Sequence, residues 1–315
     1  MASWADIVKK NLTDHGSKDG IVSVSSSSPS SSSLVSKGDH AKSFFHIDGG
    51  VNLTHRNLNN RIDKIVQDAI AYNCRRFIVI SHSVPDCKKV ISLTRSLNKN
   101  SNNRFKVYCT LGVQPHDAER TLKDSNWVTE LEKLIIDNKD IVVAVGKCGL
   151  DYERTMLAPL EAQKEVFAKQ LELAKKHNLP LFLHERNAQD DFLDMLDSSD
   201  KNHKGVIHCF TGNEESAGRY VQHNLFFGIT GRICDDAQNE DLVKSVINVI
   251  PEDKLIISTD APYMTPKDLK KRPYYNGPQF IPHICARIAY VKGMRRNELS
   301  TIVMQNMKNL FPNFT

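Results

Sequence analysis

The stretch Ile256-Ile257-Ser258-Thr259-Asp260-Ala261-Pro262 decides how the chain is read. Apolar and β-branched residues lead into a carboxylate, and Pro262 stops the run. The pattern predicts a short buried strand with Asp260 at its C-terminal tip. Three earlier stretches share that form. Leu181-Phe182-Leu183 ends in His184, Gly205-Val206-Ile207 ends in His208, and the run from Ile141 to Gly146 ends in Lys147. In a parallel barrel the C-terminal strand tips open onto the active face. Two imidazoles, a carboxylate and an amine would then face one another there.

Outward from these tips, strand-like and helix-like segments alternate from Phe44 onward. The strand candidates are 44–48, 76–81, 106–113, 141–147, 179–184, 206–209, 225–229 and 255–260. Amphipathic stretches separate them, such as 160–177, where Val166, Phe167, Leu171 and Ala174 share a helical face. Two more helix-like stretches, 282–292 and 297–310, follow the last strand. Short apolar strands between helices mean a parallel sheet covered by helices, an α/β protein. Eight strands close a barrel, so residues 44–315 are expected to form a (β/α)₈ TIM barrel. An open doubly wound sheet would need a Gly-rich phosphate turn after its first strand, and Gly49-Gly50-Val51-Asn52 lacks that spacing.

Residues 1–43 differ in composition, with a nearly pure serine run from Ser23 to Ser33. Such a segment buries too little apolar surface to offset its ordering entropy, and a disordered tail is expected. Within it Trp4, Ile7, Val8 and Leu12 fall at helical spacing, either a transient helix or a docking peptide for a protein partner. The first residues carry charge and no apolar core, unlike a secretory signal. No apolar run in the 315 residues approaches the roughly 20 that a membrane helix needs, so no membrane partner is expected. A net charge of +5 is compatible with a polyanionic substrate. Seven cysteines, irregularly spaced and without a CxxC pair, point to free thiols in a reducing compartment, the cytoplasm or the nucleus.

A lone His after an apolar strand is more often a hydrogen-bonded structural residue than a ligand. Here His208 repeats the placement of His184 one βα unit later, and Asp260 repeats it on the last strand. Imidazole nitrogen with carboxylate oxygen suits Zn²⁺, Mn²⁺ or a similar ion. Ser81-His82-Ser83 lacks the strained elbow of a serine nucleophile and reads as a strand end. The basic runs at Lys88, Lys175 and Lys270 read as solvated faces. Lys270-Lys271-Arg272 is the exception, because it follows the Asp260 strand and could meet a nucleic-acid backbone.

The segments IDGGVNLT, TLGVQPHD, VVAVGKCGLDYER, LPLFLHERN, GVIHCFTGNEE, FFGITGRICD, IPEDKLIISTDAPYMTP and IPHICARIA stand in this order between Phe45 and Phe311. Together they resemble the TatD family of metal-dependent deoxyribonucleases, barrels of the amidohydrolase type. The resemblance implies hydrolysis of phosphodiester bonds in DNA, often as an exonuclease from the 3′ end, on single strands or DNA ends. It implies one or two divalent ions (Mg, Mn or Zn) held by His184, His208 and Asp260. Asp260 would also orient or deprotonate the attacking water. His116 matches a family histidine near the substrate phosphate. Arg186 is a candidate for a forked phosphate contact, or for a surface salt bridge. Asp151 and Tyr152, after the Lys147 strand, would shape the site.

Departures from the family pattern cluster at polar positions. Lys147 stands where the family has the glutamate that bridges both ions. Gln114, Ser258 and Gly277 also replace usual family residues. A carbamylated Lys147 would restore a bridging carboxylate. An uncarbamylated one would pair with Asp260 or Glu185 and displace the ion. Glu185 is a further candidate for a replacement carboxylate, if the strand end is irregular. Three functions follow: a metal-dependent deoxyribonuclease, a catalytically impaired barrel acting as a binding protein, or a metal hydrolase of a small amide or ester.

Overall fold

In a computed structural model of the chain, the residues described are 45–235, 240–271 and 273–314, with 240–244 described by backbone alone. Eight strands are β1 (His46–Val51), β2 (Cys74–Val79), β3 (Lys106–Leu111), β4 (Val142–Asp151), β5 (Leu181–Arg186), β6 (Gly205–Ile207), β7 (Phe226–Ile229) and β8 (Leu255–Ile257). They pair in sequence order and in parallel, as the alternating pattern predicts. Most strand residues are buried, which is what helices outside and packed side chains inside impose on a barrel strand, and the partly exposed ones include the C-terminal half of β5.

The seam between β1 and β8 is closed just beyond the end of β8. Asp260 N donates to Gly50 O at 2.9 Å, and Asn52 N donates to Ala261 O at 2.9 Å. The buried carboxylate of Asp48 adds a side-chain clasp by accepting from Thr259 N at 2.9 Å. The tip that carries Asp260 is therefore also the piece that shuts the barrel.

The helices are α1 (Ile62–Ala71), α2 (Val84–Lys99), α3 (Ala118–Thr121), α4 (Trp127–Asp137), α5 (Leu160–His177), α6 (Gln189–Ser199), α7 (Glu214–Gln222), α8 (Glu240–Val249), α9 (Ile281–Val291) and α10 (Arg296–Leu310). Helix α2 starts where Ser83 Oγ accepts from Asp86 N, a side-chain cap that satisfies one free amide. Helix α5 ends where Asn178 takes a left-handed conformation, φ 50°, which a short polar side chain tolerates. Its Phe167 stacks on Phe192 of α6 at 5.3 Å between centroids.

Every strand shifts by one or more residues from its expected bounds, and two of the shifts bear on the site. Expected to stop at Lys147, β4 runs on to Asp151 because it keeps pairing with β5 as far as Asp151↔Arg186. The last strand stops at Ile257, and Ser258–Asp260 form an irregular tip. All seven cysteines are free, and six of them are buried. Among the described residues, no helix is long and apolar enough to cross a membrane. The expected tail and its short helical stretch lie outside the described residues.

Candidate active site

Asp260 takes a left-handed backbone conformation, φ 51°. That region is open to Asp but uncommon, and here the seam bond to Gly50 O and a turn bond from Tyr263 N to Asp260 O (3.0 Å) hold it. The buried carboxylate accepts from Asn52 Nδ2 at 2.9 Å and pairs with His208 Nε2 at 3.1 Å. Asn52 also donates to the Asp260 and Ala261 carbonyls. Burial alone would raise the Asp260 pKa. The His208 hydrogen bond and charge, then the Lys147 charge and Asn52, outweigh it and keep the group ionised.

His208 sits in the turn just after β6, almost wholly buried. Its ring lies 4.7 Å from that of Phe182. Gly50 makes room for it, since a Cβ there would come within 2.9 Å of His208 Cε1. Burial lowers the His208 pKa against the opposing pull of Asp260. The imidazole is thus neutral at pH 7, with a lone pair to give.

A second cluster forms at the tips of β4 and β5. One oxygen of Asp151 meets His116 Nε2 at 2.8 Å and His184 Nε2 at 2.9 Å. The two rings meet edge to face at 5.6 Å. Asp151 is held in turn by Gln163 on α5, whose Oε1 accepts from Asp151 N (2.8 Å) and whose Nε2 donates to Asp151 O (3.1 Å). Seven residues on, along the same face of α5, Gln170 does the same for Val113 at the tip of β3. Burial would raise the Asp151 pKa, but the two histidine bonds drive it well below the carboxylate range. Burial, with the Lys147 charge behind it, pushes the His184 pKa down to about 4.

Lys147 lies between these clusters electrostatically, because its charge acts on His184, His208 and Asp260 alike. The ladder explains its placement. Gly146 pairs with Phe182 and Cys148 with Leu183, so Lys147 is the extra residue of a β-bulge. A bulge re-aims the side chain it carries, often beside an active site. The glycines around it are required. Gly146 and Gly149 have φ of 136° and 135°, and a Cβ on Gly149 would lie 1.9 Å from His184 O.

Of the expected site residues, His208 and Asp260 form one hydrogen-bonded pair, and His184 and His116 belong to the other cluster. Among the described residues two groups of three have ligand atoms within 4.8 Å of one another, and neither holds both His184 and His208. One is His116, Asp151 and His184. The other is Cys234, Asp268 and His283, in which His283 and Asp268 already form a 2.7 Å ion pair. Arg186, 41% exposed, pairs with Glu153 at 2.5 Å at the rim.

Glu185 does not supply a replacement carboxylate. Its oxygens accept from Ala188 N (2.7 Å) and Tyr220 Oη (2.6 Å), so it faces the helices outside the barrel. Nor does Lys147 pair with Asp260 or Glu185 within 4 Å, since neither bond is present among the described residues. Gln114 Nε2 turns back to Asp117 at 2.9 Å. Ser258 is fully buried and its hydroxyl has no partner. His82 pairs with Asp86 of α2, as a strand-end residue would.

The sequence reading undervalued Asp151 and missed Asn52. For Asp151 a signal exists: strand side chains alternate, so in a continued strand a carboxylate four residues past Lys147 would be expected on its face, and the ladder beyond the bulge does run on to Asp151. Nothing comparable marks Asn52, which acts through a contact 208 residues away.

The donor set fits a divalent cation. Two imidazoles kept neutral and two carboxylates kept ionised are borderline-to-hard ligands, poised without a protonation change at pH 7. The Lys147 charge, which acts on His184, His208 and Asp260, opposes it.

Comparison with known proteins identifies relatives of the chain. The family model described as TatD related DNase matches residues 47–312. The 3′-5′ ssDNA/RNA exonuclease TatD of Escherichia coli (strain K12) is 34% identical over 269 residues, covering 84% of this chain and 98% of that protein. The crystal structure of a hydrolase TatD family protein from Entamoeba histolytica superposes with a TM-score of 0.75 at 28% identity, over 85% of this chain and 98% of that one. An uncharacterized amidohydrolase from Saccharomyces cerevisiae, 20% identical with a TM-score of 0.73, shares the fold over 85% of this chain and all of its own. The chain belongs to the TatD-related DNase family.

Proposed function

We propose that the barrel hydrolyses phosphodiester bonds of single-stranded DNA, removing nucleotides from the 3′ end, with a divalent ion held by His184, His208 and Asp260. What supports this is a neutral imidazole paired with an ionised carboxylate at each of two neighbouring strand-tip clusters, His208 with Asp260 and His184 with Asp151, in a family nuclease barrel; one ion shared by both would draw His184 toward the His208–Asp260 pair. A divalent ion bound there would supply positive charge to the scissile phosphate and acidity to a water. Asp260, ionised and fixed by Asn52 and His208, would orient the attacking water and accept its proton. Asp151 holds His184 and His116 in one geometry, as the outer hydrogen bond of a ligating histidine does, and presents His116 to a phosphate oxygen. Arg186 can reach the phosphate only by exchanging Glu153 for it. Seven free thiols fit a reducing compartment.

A second reading rests on Lys147. An unmodified ammonium acting on His184, His208 and Asp260 together would repel the ion and leave a barrel that binds nucleic acid without cutting it. One assay separates the two. A 3′-labelled single-stranded oligonucleotide is incubated with Mg²⁺ or Mn²⁺ and either wild type or Asp260→Asn. The nuclease reading expects shortening by wild type and a loss of about 100-fold or more in the variant. No shortening by either folded protein would favour the second reading.

A further inference from the structure

On the loops that follow β1 and β8 lies a cavity of about 400 Å³, lined in part by Pro262, two residues past Asp260, whose wall chemistry is unlike that of a packing defect. Arg56, Arg61, Tyr274, Tyr275, Asn57 and Asn60 line it, and among the described residues no acidic side chain does. Tyr274 is 82% exposed, and the Arg61 guanidinium lies 4.4 Å from its ring centroid. Exposed aromatic rings backed by arginine are what successive bases stack on in sequence-tolerant single-strand binders. A duplex keeps its base faces stacked inside, so such a surface favours an unpaired strand.

The walls are tied to the catalytic tip from both sides. Asn276 Nδ2 donates to Thr259 O at 3.0 Å, which fixes the Tyr274 loop to the residue before Asp260. Asn52, which holds the Asp260 carboxylate, precedes Arg56 by four residues on the loop after β1. Tyr275 Oη donates to Asp68 of α1 at 2.7 Å, which closes the far wall. Across the loop, Tyr263 is half exposed, and its hydroxyl meets His55 Nε2 at 3.2 Å. A strand held with its 3′ end at Asp260 must run its 5′ portion over neighbouring surface.

We propose that the Arg56–Arg61–Tyr274 groove receives the single-stranded segment on the 5′ side of the scissile bond, with phosphates on the arginines and a base on Tyr274. The proposal rests on the nuclease reading above, for it specifies the path of that substrate.

The test uses the full chain and a 5′-fluorescein-labelled dodecathymidylate, with EDTA present so that binding is read without turnover. Arg61→Gln/Tyr274→Ala is expected to weaken the anisotropy-measured Kd about tenfold. Arg56→Gln is expected to flatten the dependence of log Kd on log salt by about one phosphate contact. In a parallel cleavage series with Mn²⁺, the penalty of the double variant should fall on KM and shrink as the oligonucleotide is shortened to a dinucleotide. Circular dichroism confirms that the variants fold. If wild type cleaves DNA and the double variant binds and cleaves every length equally well, the groove proposal falls and the nuclease reading stands. If wild type neither binds nor cleaves, both fall. Binding that is lost in the double variant, from a wild type that binds and does not cleave, would keep the groove and remove the nuclease.

Discussion

An ammonium at the unpaired position of the β4–β5 ladder imposes a definite electrostatic cost on a cation site. Lys147 lowers the pKa of both histidines, which frees their lone pairs, yet its own charge opposes the ion those lone pairs would bind. Glutamate on the same bulge would reverse the second effect and keep the bulge geometry, since the backbone shape belongs to Gly146 and Gly149. Lys147→Glu is therefore expected to raise metal affinity and the rate of DNA cleavage by tenfold or more, on the scale of about 1.4 kcal/mol per decade. Carbamylation of wild type makes the added expectation that removing bicarbonate slows cleavage. Measuring both rates at fixed Mn²⁺ decides the matter: a wild type indifferent to bicarbonate and matched by the variant means that Lys147 is not a ligand. The strand-tip residues were legible in the sequence because an apolar run followed by one polar residue is a local signal. Their pairings were not. Asp151 and Asn52 act through contacts 33 and 208 residues apart, and only the closed barrel creates them.

Single elements do more than cover the sheet. Helix α5 carries buried Gln163 and Gln170, which bond the backbone at the tips of β4 and β3, so this helix sets the height of the Asp151 cluster. Amphipathic spacing predicts the helix but treats both glutamines as polar interruptions. At the other end of β1, buried His46 meets Ser300 Oγ of α10 at 3.1 Å. Burial, then the Arg296 charge, pushes its pKa down to about 3 from 6.5. The folded chain thus keeps His46 neutral where the unfolded chain protonates it. Its contribution to stability is complete above about pH 6.5 and is lost as pH falls from there towards 3, by up to about 1.4 kcal/mol per pH unit. His184 adds a loss of the same sign down to about pH 4. Urea midpoints at pH 7, 6 and 5 check this, with His46→Gln expected to show a shallower decline than wild type. Equal slopes would mean that burial does not hold His46 neutral.

Across the whole molecule, eight strands pair in chain order, and the alternation of strand and helix in the sequence was enough to predict that arrangement. Strand bounds were less legible. Pairing with β5 extends β4 past Lys147, and the seam with β1 makes Ser258–Asp260 a hydrogen-bonded tip instead of a strand. Because the tip both closes the barrel and carries the carboxylate, damage to closure and damage to chemistry coincide there. The free cysteines span the same closed structure. Cys74 is on β2, Cys87 on α2, Cys109 on β3, Cys148 on β4 and Cys285 on α9, all buried, and burial pushes Cys87 and Cys285 up to about 12. A thiol so placed meets a chromogenic disulfide reagent only when its own element opens. We expect Cys209, the one partly exposed thiol, to react first in native protein though slowed because burial pushes its pKa up to about 12, and the remainder to react together at the rate of global unfolding. Staggered reaction of β3 and β4 thiols ahead of α9 would instead time the barrel's opening strand by strand, so that ordinary absorbance kinetics would resolve which part of the ring parts first.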